Sequence, residues 1–365
     1  MMYYTRLNTR MCEIILVGDE AGLSHLHLDT GEGKRVFEIA DDWEQNHAFF
    51  APIIQQIEEY MQGQRSTFDI PLNPKGTEYQ KKVWQALREI PYAKLHTYKN
   101  VATAIGNPKA SRAVGMANSR NPLPLVVPCH RVVGANGQLT GFAHGLTIKK
   151  RLIHLEKLMS VYHTLFAHYG EQHWWPAKSA YEMMVGAILT QNTNWSNVEK
   201  ALDNFKDRLT PQFVASIGSD ELAEIIRPSG YYNQKAANLK SLTAWFMGYG
   251  CDVDTIKQKS GEALRHELLE LRGVGRETAD SILLYALDKP FFVIDTYTKR
   301  LFHRLGIDLP KTYDELRLLV EDALPHDLYL FNEYHGLIVQ HAKHYCTKKP
   351  QCHGCPLNDV CEKRN

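Results

Sequence analysis

The last twenty residues hold four of the chain's seven cysteines, Cys346, Cys352, Cys355 and Cys361, spaced C-x5-C-x2-C-x5-C. No other feature constrains the fold as tightly, because four thiols in one short loop can pair with each other or gather round a metal centre. Crowding at one end of an otherwise cysteine-poor chain argues for a metal site in a reducing compartment over a disulfide framework. The spacing leaves four thiolates in a compact loop, enough for either a [4Fe–4S] cluster or tetrahedral zinc. Cys12 and Cys251 stand alone and read as packing residues. Cys129 also stands alone, in "LVVPCHRVVG", at the end of a strand-like apolar run. A small hydrophobe is ordinary there. His130 and Arg131 follow at once, however, and favour the thiolate that makes a cysteine a nucleophile.

A chain of 365 residues has room for two domains of ordinary size. Its 44% hydrophobic and 23% charged residues are those of a soluble globular protein. The start lacks the basic and apolar regions of a signal peptide, and no apolar run is long enough to cross a bilayer, so an intracellular protein with no membrane partner is expected. The net charge of +1 hides a strong segregation. Residues 1–70 carry 5 basic against 12 acidic side chains, residues 71–157 carry 14 against 3, and the remainder 23 against 26. A block that basic suits a nucleic-acid surface on an otherwise ordinary protein.

Along the chain, "CEIILVG" and "LSHLHLD" read as short strands and "APIIQQIEEYMQG" as an amphipathic helix, which makes residues 1–70 a small α/β unit. "GTEYQKKVWQALREIP" has helical periodicity with Val83, Trp84 and Leu87 on one face. "TYKNVATAIGNPKASRAVGMANSRNP" then reads as helix, turn and helix inside the basic block, with Lys109 and Arg112 at the start of the second helix. Another helix covers residues 145–158, and everything beyond is helix-rich. The boundary is placed near Met159–Tyr162 within a continuous helical stretch, giving an α+β domain at 1–158 (subdomains 1–70 and 71–158) and an all-α domain at 159–365.

"NPKASRAVGMANSRNPLPLVVPCHRVVG", together with "GFAHGLTIKKRLIHLE", resembles the O6-alkylguanine-DNA alkyltransferases over roughly residues 10–158. The resemblance implies that Cys129 takes the alkyl group from O6 of guanine and keeps it as a thioether, so that the protein is consumed. It makes His130 the base, acting through a water, and Glu156 the group that polarises the histidine, the logic of an activated nucleophile. It gives Asn121 the shaping of the active-site turn, Tyr98 a hydroxyl donated to the leaving guanine, and Arg112 the hole left by the flipped nucleotide. Lys109 and Arg131 are expected at the DNA. Phe142, Ala143 and His144 stand where the family has a tyrosine and small residues, so His144 is expected to narrow the pocket and favour methyl over bulky alkyl groups. Cys12 alone offers no N-terminal zinc site.

"LRGVGRETADSILLYAL" sets Gly273 and Gly275 between two helical patterns, a hairpin that presents backbone N–H groups to phosphate. "FFVIDTYTKRL" and the cysteine cluster follow in order. That set resembles the helix-hairpin-helix glycosylases of the endonuclease III superfamily across residues 160–365. The resemblance implies that Asp295 stabilises the sugar cation and helps water displace the base; the same aspartate also reads as a helix N-cap. Bifunctional members use a hairpin lysine, and Glu277 stands in its place, so a monofunctional glycosylase is expected. "HWWPA" resembles the 3-methyladenine branch, with Trp174 and Trp175 to stack on an electron-poor base. Gln191 and Tyr231 match positions that fill the gap and wedge the duplex. Related proteins hold a [4Fe–4S] cluster with one more residue in the first cysteine gap, which favours the cluster over zinc, and Lys348 and Lys349 in its loop are placed near phosphate.

The whole reads as a monomer acting on double-stranded alkylated DNA by direct reversal and by excision. The alternatives are an endonuclease III-like lyase acting on oxidised pyrimidines and a non-catalytic lesion sensor.

Overall fold

The computed structural model describes residues 1–33 and 37–364. The chain divides into two compact units, Met1–Val161 with Asp322–Pro325, and Tyr162–Glu321 with His326–Asn365.

The first unit opens on strands β1 (Tyr3–Asn8), β2 (Glu13–Asp19), β3 (Gly22–Asp29) and β4 (Glu44–Gln45), ordered β3-β2-β1-β4. β2 pairs antiparallel with both neighbours, and β4 runs parallel to β1. The central strand buries Ile14, Ile15, Leu16 and Val17 in succession, so it reads as a continuous apolar run, whereas β1 alternates. Helix α1 (Ala51–Met61) starts with Pro52 in its first turn, where a missing N–H costs nothing. Helix α2 (Glu78–Arg88) starts at a reciprocal capping box between Thr77 and Gln80.

β5 (His96–Thr97) leads into α3 (Tyr98–Ala104), and a turn at Gly106, φ +78°, leads into α4 (Ser111–Ser119). The apolar run before Cys129 is not a strand. Pro122, Pro124 and Pro128 supply no N–H for a ladder, and the chain turns there instead, closing with a 3₁₀ turn at Cys129–Arg131. β6 (Val132–Val133) pairs parallel with β5, and α5 runs from Leu146 to Tyr169.

The second unit is helical: α6 (Ala180–Leu189), α7 (Trp195–Asp203), α8 (Pro211–Ser216), α9 (Ser219–Ile225), α10 (Tyr232–Gly248), α11 (Val253–Lys257), α12 (Gly261–Glu270), α13 (Arg276–Ala286), α14 (Thr296–Arg304), α15 (Tyr313–Ala323) and α16 (Leu328–His344). α6 is apolar nearly all round and buried from Met183 to Leu189, as a helix at the centre of a core must be. A buried ionic network ties α12, α13 and α15: Arg265 donates to both oxygens of Asp280 and to Asp314, and Arg317 pairs with Glu321.

Candidate active sites

In the first unit, the local chain before Cys129 is shaped by Asn121. Its buried amide donates to Val127 O at 2.8 Å and its carbonyl accepts from Leu123 N at 3.0 Å. This holds the proline-rich turn so that Cys129 and His130 follow it, both buried. His130 Nε2 lies 2.9 Å from Glu156 Oε1, while its Nδ1 is buried with no hydrogen-bond partner. An ionised Glu156 can only accept, so Nε2 carries the proton and Nδ1 presents a lone pair. Burial pushes the His130 imidazole down, against the pull of Glu156. Burial alone would raise Glu156, yet His130 and Arg131 outweigh it and hold the carboxyl at about 2.

Arg131 is where the sequence reading fails. It is 6% exposed, with Nε 3.0 Å and Nη2 2.8 Å from the Glu156 carboxylate and Nη1 2.6 Å from Ile90 O. A guanidinium this buried, with a donor from each of its nitrogens committed to an interior carboxylate or carbonyl, is not presented to DNA, so Arg131 belongs to the interior. Two residues that motif reasoning missed join this cluster. Tyr60, fully buried on α1, donates to Glu156 Oε1 at 2.7 Å. Lys149 donates to Val132 O at 2.6 Å and Thr140 O at 3.0 Å, and burial lowers it to about 8 while Cys129 opposes the shift. Nothing in their local sequence marks either one.

His144 is corrected as well. Its buried ring turns to strand β3, with Nδ1 3.1 Å from Leu28 O and an edge contact to His27. A buried imidazole needs such an acceptor, and this geometry gives no support to a narrowed alkyl pocket. Phe142 packs on the His144 ring, and Ala143 links the two. Lys109 is exposed just before α4, Arg112 is exposed in its first turn, and Met116 is 58% exposed on the same helix. Half-buried Tyr98 sits close to Gly115, where a Cβ would meet its ring at 3.7 Å.

In the second unit a cavity of about 610 Å³ is lined by Trp174, Trp175, Gln191, Glu277, Asp295 and His335, among others. That volume suits a ligand of base size. Both indole N–H groups are buried without a partner. Trp175 packs between Trp195 and Tyr285, at 5.5 and 5.3 Å between ring centroids, and Lys343 lies over the Trp174 ring. Asp295 caps α14 with one oxygen, accepting from Thr298 N at 2.7 Å, and places the other 3.6 Å from His335 Nε2. Tyr285 OH meets His335 Nδ1 at 2.6 Å, which extends a chain Tyr285–His335–Asp295 that the sequence did not reveal. Burial works to raise Asp295, but His335 and Thr298 outweigh it and leave the carboxyl below its ordinary value. Glu277 goes the other way, raised by burial and then by the charge of Asp295.

The hairpin joins α12 to α13. Gly273 has φ +75°, and a Cβ there would strike Asn238, so only glycine fits. Val274 N–H is used within the turn, donating to Leu271 O. Gly275 caps α13 without a side chain and leaves the first-turn N–H groups open to an anion. Gln191 donates to Gly273 O and Thr278 Oγ1, both at 2.9 Å. Tyr231 is 67% exposed in a left-handed conformation.

All four C-terminal cysteines line one cavity of about 130 Å³. Among the described residues no three His, Cys, Asp or Glu side chains close on a single metal ion. Arg304 Nη1 lies 3.2 Å from Cys346 Sγ and His341 Nε2 3.7 Å from Cys355 Sγ. Lys348 and Lys349 are exposed.

Comparison with known proteins divides the chain in the same order. Residues 2–74 match the ribonuclease-like domain and residues 78–158 the DNA binding domain of 6-O-methylguanine DNA methyltransferase, and residues 185–326 match the HhH-GPD superfamily base excision DNA repair proteins. A methylated-DNA–protein-cysteine methyltransferase of Methanosarcina acetivorans is 51% identical over 155 residues, covering 42% of this chain and 98% of its own. A protein of Methanocaldococcus jannaschii whose name places it among DNA repair glycosylases is 49% identical over 211 residues, 56% of this chain and 96% of its own. A solved structure of endonuclease III trapped covalently on DNA aligns with a TM-score of 0.51 at 23% identity, over 57% of this chain and 96% of that one, a likeness of fold.

Proposed function

The chain joins a member of the 6-O-methylguanine DNA methyltransferase family to a member of the HhH-GPD superfamily of base excision DNA repair proteins, and on that footing we propose how each half repairs alkylated duplex DNA. In the first domain Cys129 is the acceptor. Its thiol proton passes through a water to the free Nδ1 of His130, and Glu156 steadies the imidazolium from the Nε2 side. The thiolate sulfur attacks the methyl carbon on guanine O6. The S–C bond forms as the C–O bond breaks, its electron pair stays on the base, and guanine regains a proton with Tyr98 as donor. Arg112 fills the place of the flipped nucleotide.

In the second domain Asp295 and the Trp174–Trp175 pair share the 610 Å³ cavity, and that single observation carries the excision reading. An alkylated, electron-poor base stacks on the indoles. Asp295, held ionised by His335, stabilises positive charge on the sugar while water attacks C1′ and the glycosidic electron pair leaves with a 3-methyladenine-type base. With Glu277 at the hairpin there is no amine to form an imine, so the abasic strand stays whole. Four thiols facing one cavity suit a [4Fe–4S] cluster held by Cys346, Cys352, Cys355 and Cys361, which when bound would tie the C-terminal loop covalently to itself.

The test is a duplex with O6-methylguanine and one with methylated purines. The expected result is one added methylene in the intact mass, absent in Cys129→Ala, and strand breaks only after alkali. Direct cleavage without alkali would mean a lyase.

A further inference from the structure

We propose that Lys235 is a positioning residue that holds the two DNA-facing turns of the glycosylase domain, those of Gln191 and Tyr231, in fixed register. This rests on the reading of those two residues as the ones that enter the duplex. Lys235 is 2% exposed, and its Nζ donates to Leu189 O at 2.8 Å and to Ser229 O at 2.7 Å. Each carbonyl stands two residues ahead of a gap residue, Leu189 before Gln191 and Ser229 before Tyr231. Each also ends a helix, Leu189 ending α6 and Ser229 the 3₁₀ turn Arg227–Ser229, so both carbonyls belong to helix C-termini that lack an intrahelical donor and attract a cation.

The two turns need such a support. Asn192, directly after Gln191, has φ +54°, and Tyr231 has φ +48°. Left-handed backbone at residues other than glycine persists only where the surroundings hold it. Tyr231 itself is exposed, so its conformation is fixed from beneath rather than by burial of its ring. The same face of α10 reaches a third loop: Asn238, three residues on, fills the space where a Cβ of Gly273 would lie, and Gln191 donates to Gly273 O. Packing alone would put a leucine or methionine at position 235, since burying an ammonium is costly unless its donors are used. Here two of its donors join separate turns.

The test uses the full chain and a duplex carrying an abasic-site analogue beside 2-aminopurine, whose stopped-flow fluorescence reports unstacking at the gap. Lys235→Met keeps the volume and removes the donors. It is expected to bind this duplex with near-normal affinity but to slow the fluorescence change, and base release from a separate methylated duplex, by about 10²-fold, the scale of a misplaced site. Lys235→Gln, which can still reach one carbonyl, is expected to recover part of that loss. Leu242→Ala, buried on the same helix away from the turns, serves as the destabilised control and should leave unstacking unchanged below its melting point. A wild-type rate in Lys235→Met, or an equal loss in Leu242→Ala, overturns the proposal. Gln191→Ala and Tyr231→Ala test the reading beneath it. If neither affects unstacking, that reading and the clamp fall together, and if both do while Lys235→Met does not, the clamp alone falls. Should the Lys235 variants not fold, the double variant Gln191→Ala with Tyr231→Ala decides: non-additive losses support coupled turns, and additive losses refute them.

Discussion

Glu156 receives hydrogen bonds from His130, Tyr60, Arg131 and the Ala93 amide, so its charge is fixed on every side. Its carboxyl lies at about 2 against an ordinary 4.5. A lowered folded value means stabilisation that is complete above about 4.5 and lost as the pH falls towards 2. The stability gap between wild type and Glu156→Gln should therefore shrink across that interval in acid melts; a constant gap would contradict the assignment. Asp295→Asn separates two roles of one side chain. Asparagine caps helices as well as aspartate, so the melting temperature should hold while base release falls by about 10²- to 10⁴-fold. Cys129, Asp295 and the cysteine loop could be singled out because each lies in a motif written in contiguous letters. Arg131 was misread because a cation's partner, here a glutamate 25 residues away, leaves no local mark.

At the level of elements, helical periodicity located α1, α2 and the pair α3–α4, since one buried face repeats every turn. The run before Cys129 deceived because hydrophobicity was weighed above its three prolines, whose missing N–H groups decide against a strand. Long-range polar links such as Tyr285–His335–Asp295 could not be read from periodicity at all. The network around Asp280 gives a stability test. Asp280→Ala would leave Arg265 without its buried partner, and the expected cost in denaturant unfolding is about 3–5 kcal/mol, whereas a loss below 1 kcal/mol would show the network to be dispensable. The cysteine loop gives another: Cys355→Ser should bleach the broad visible absorption expected of anaerobically purified protein, and a colourless wild type would count against the cluster.

For the whole molecule, the +11 excess in residues 71–157 coincides with the helix-turn-helix pair, where exposed Lys109 and Arg112 lie. No helix among the described residues is long and apolar enough to cross a membrane. The central claim is that one chain reverses one class of alkyl lesion and excises another. It is tested most directly by incubating wild type, Cys129→Ala and Asp295→Asn with methylated duplex DNA, then weighing the protein and identifying the released bases. The account predicts that Cys129→Ala releases 3-methyladenine but gains no mass, while Asp295→Asn gains mass but releases no base. Release of no methylated base by wild type, with direct cutting at oxidised pyrimidines, would contradict it.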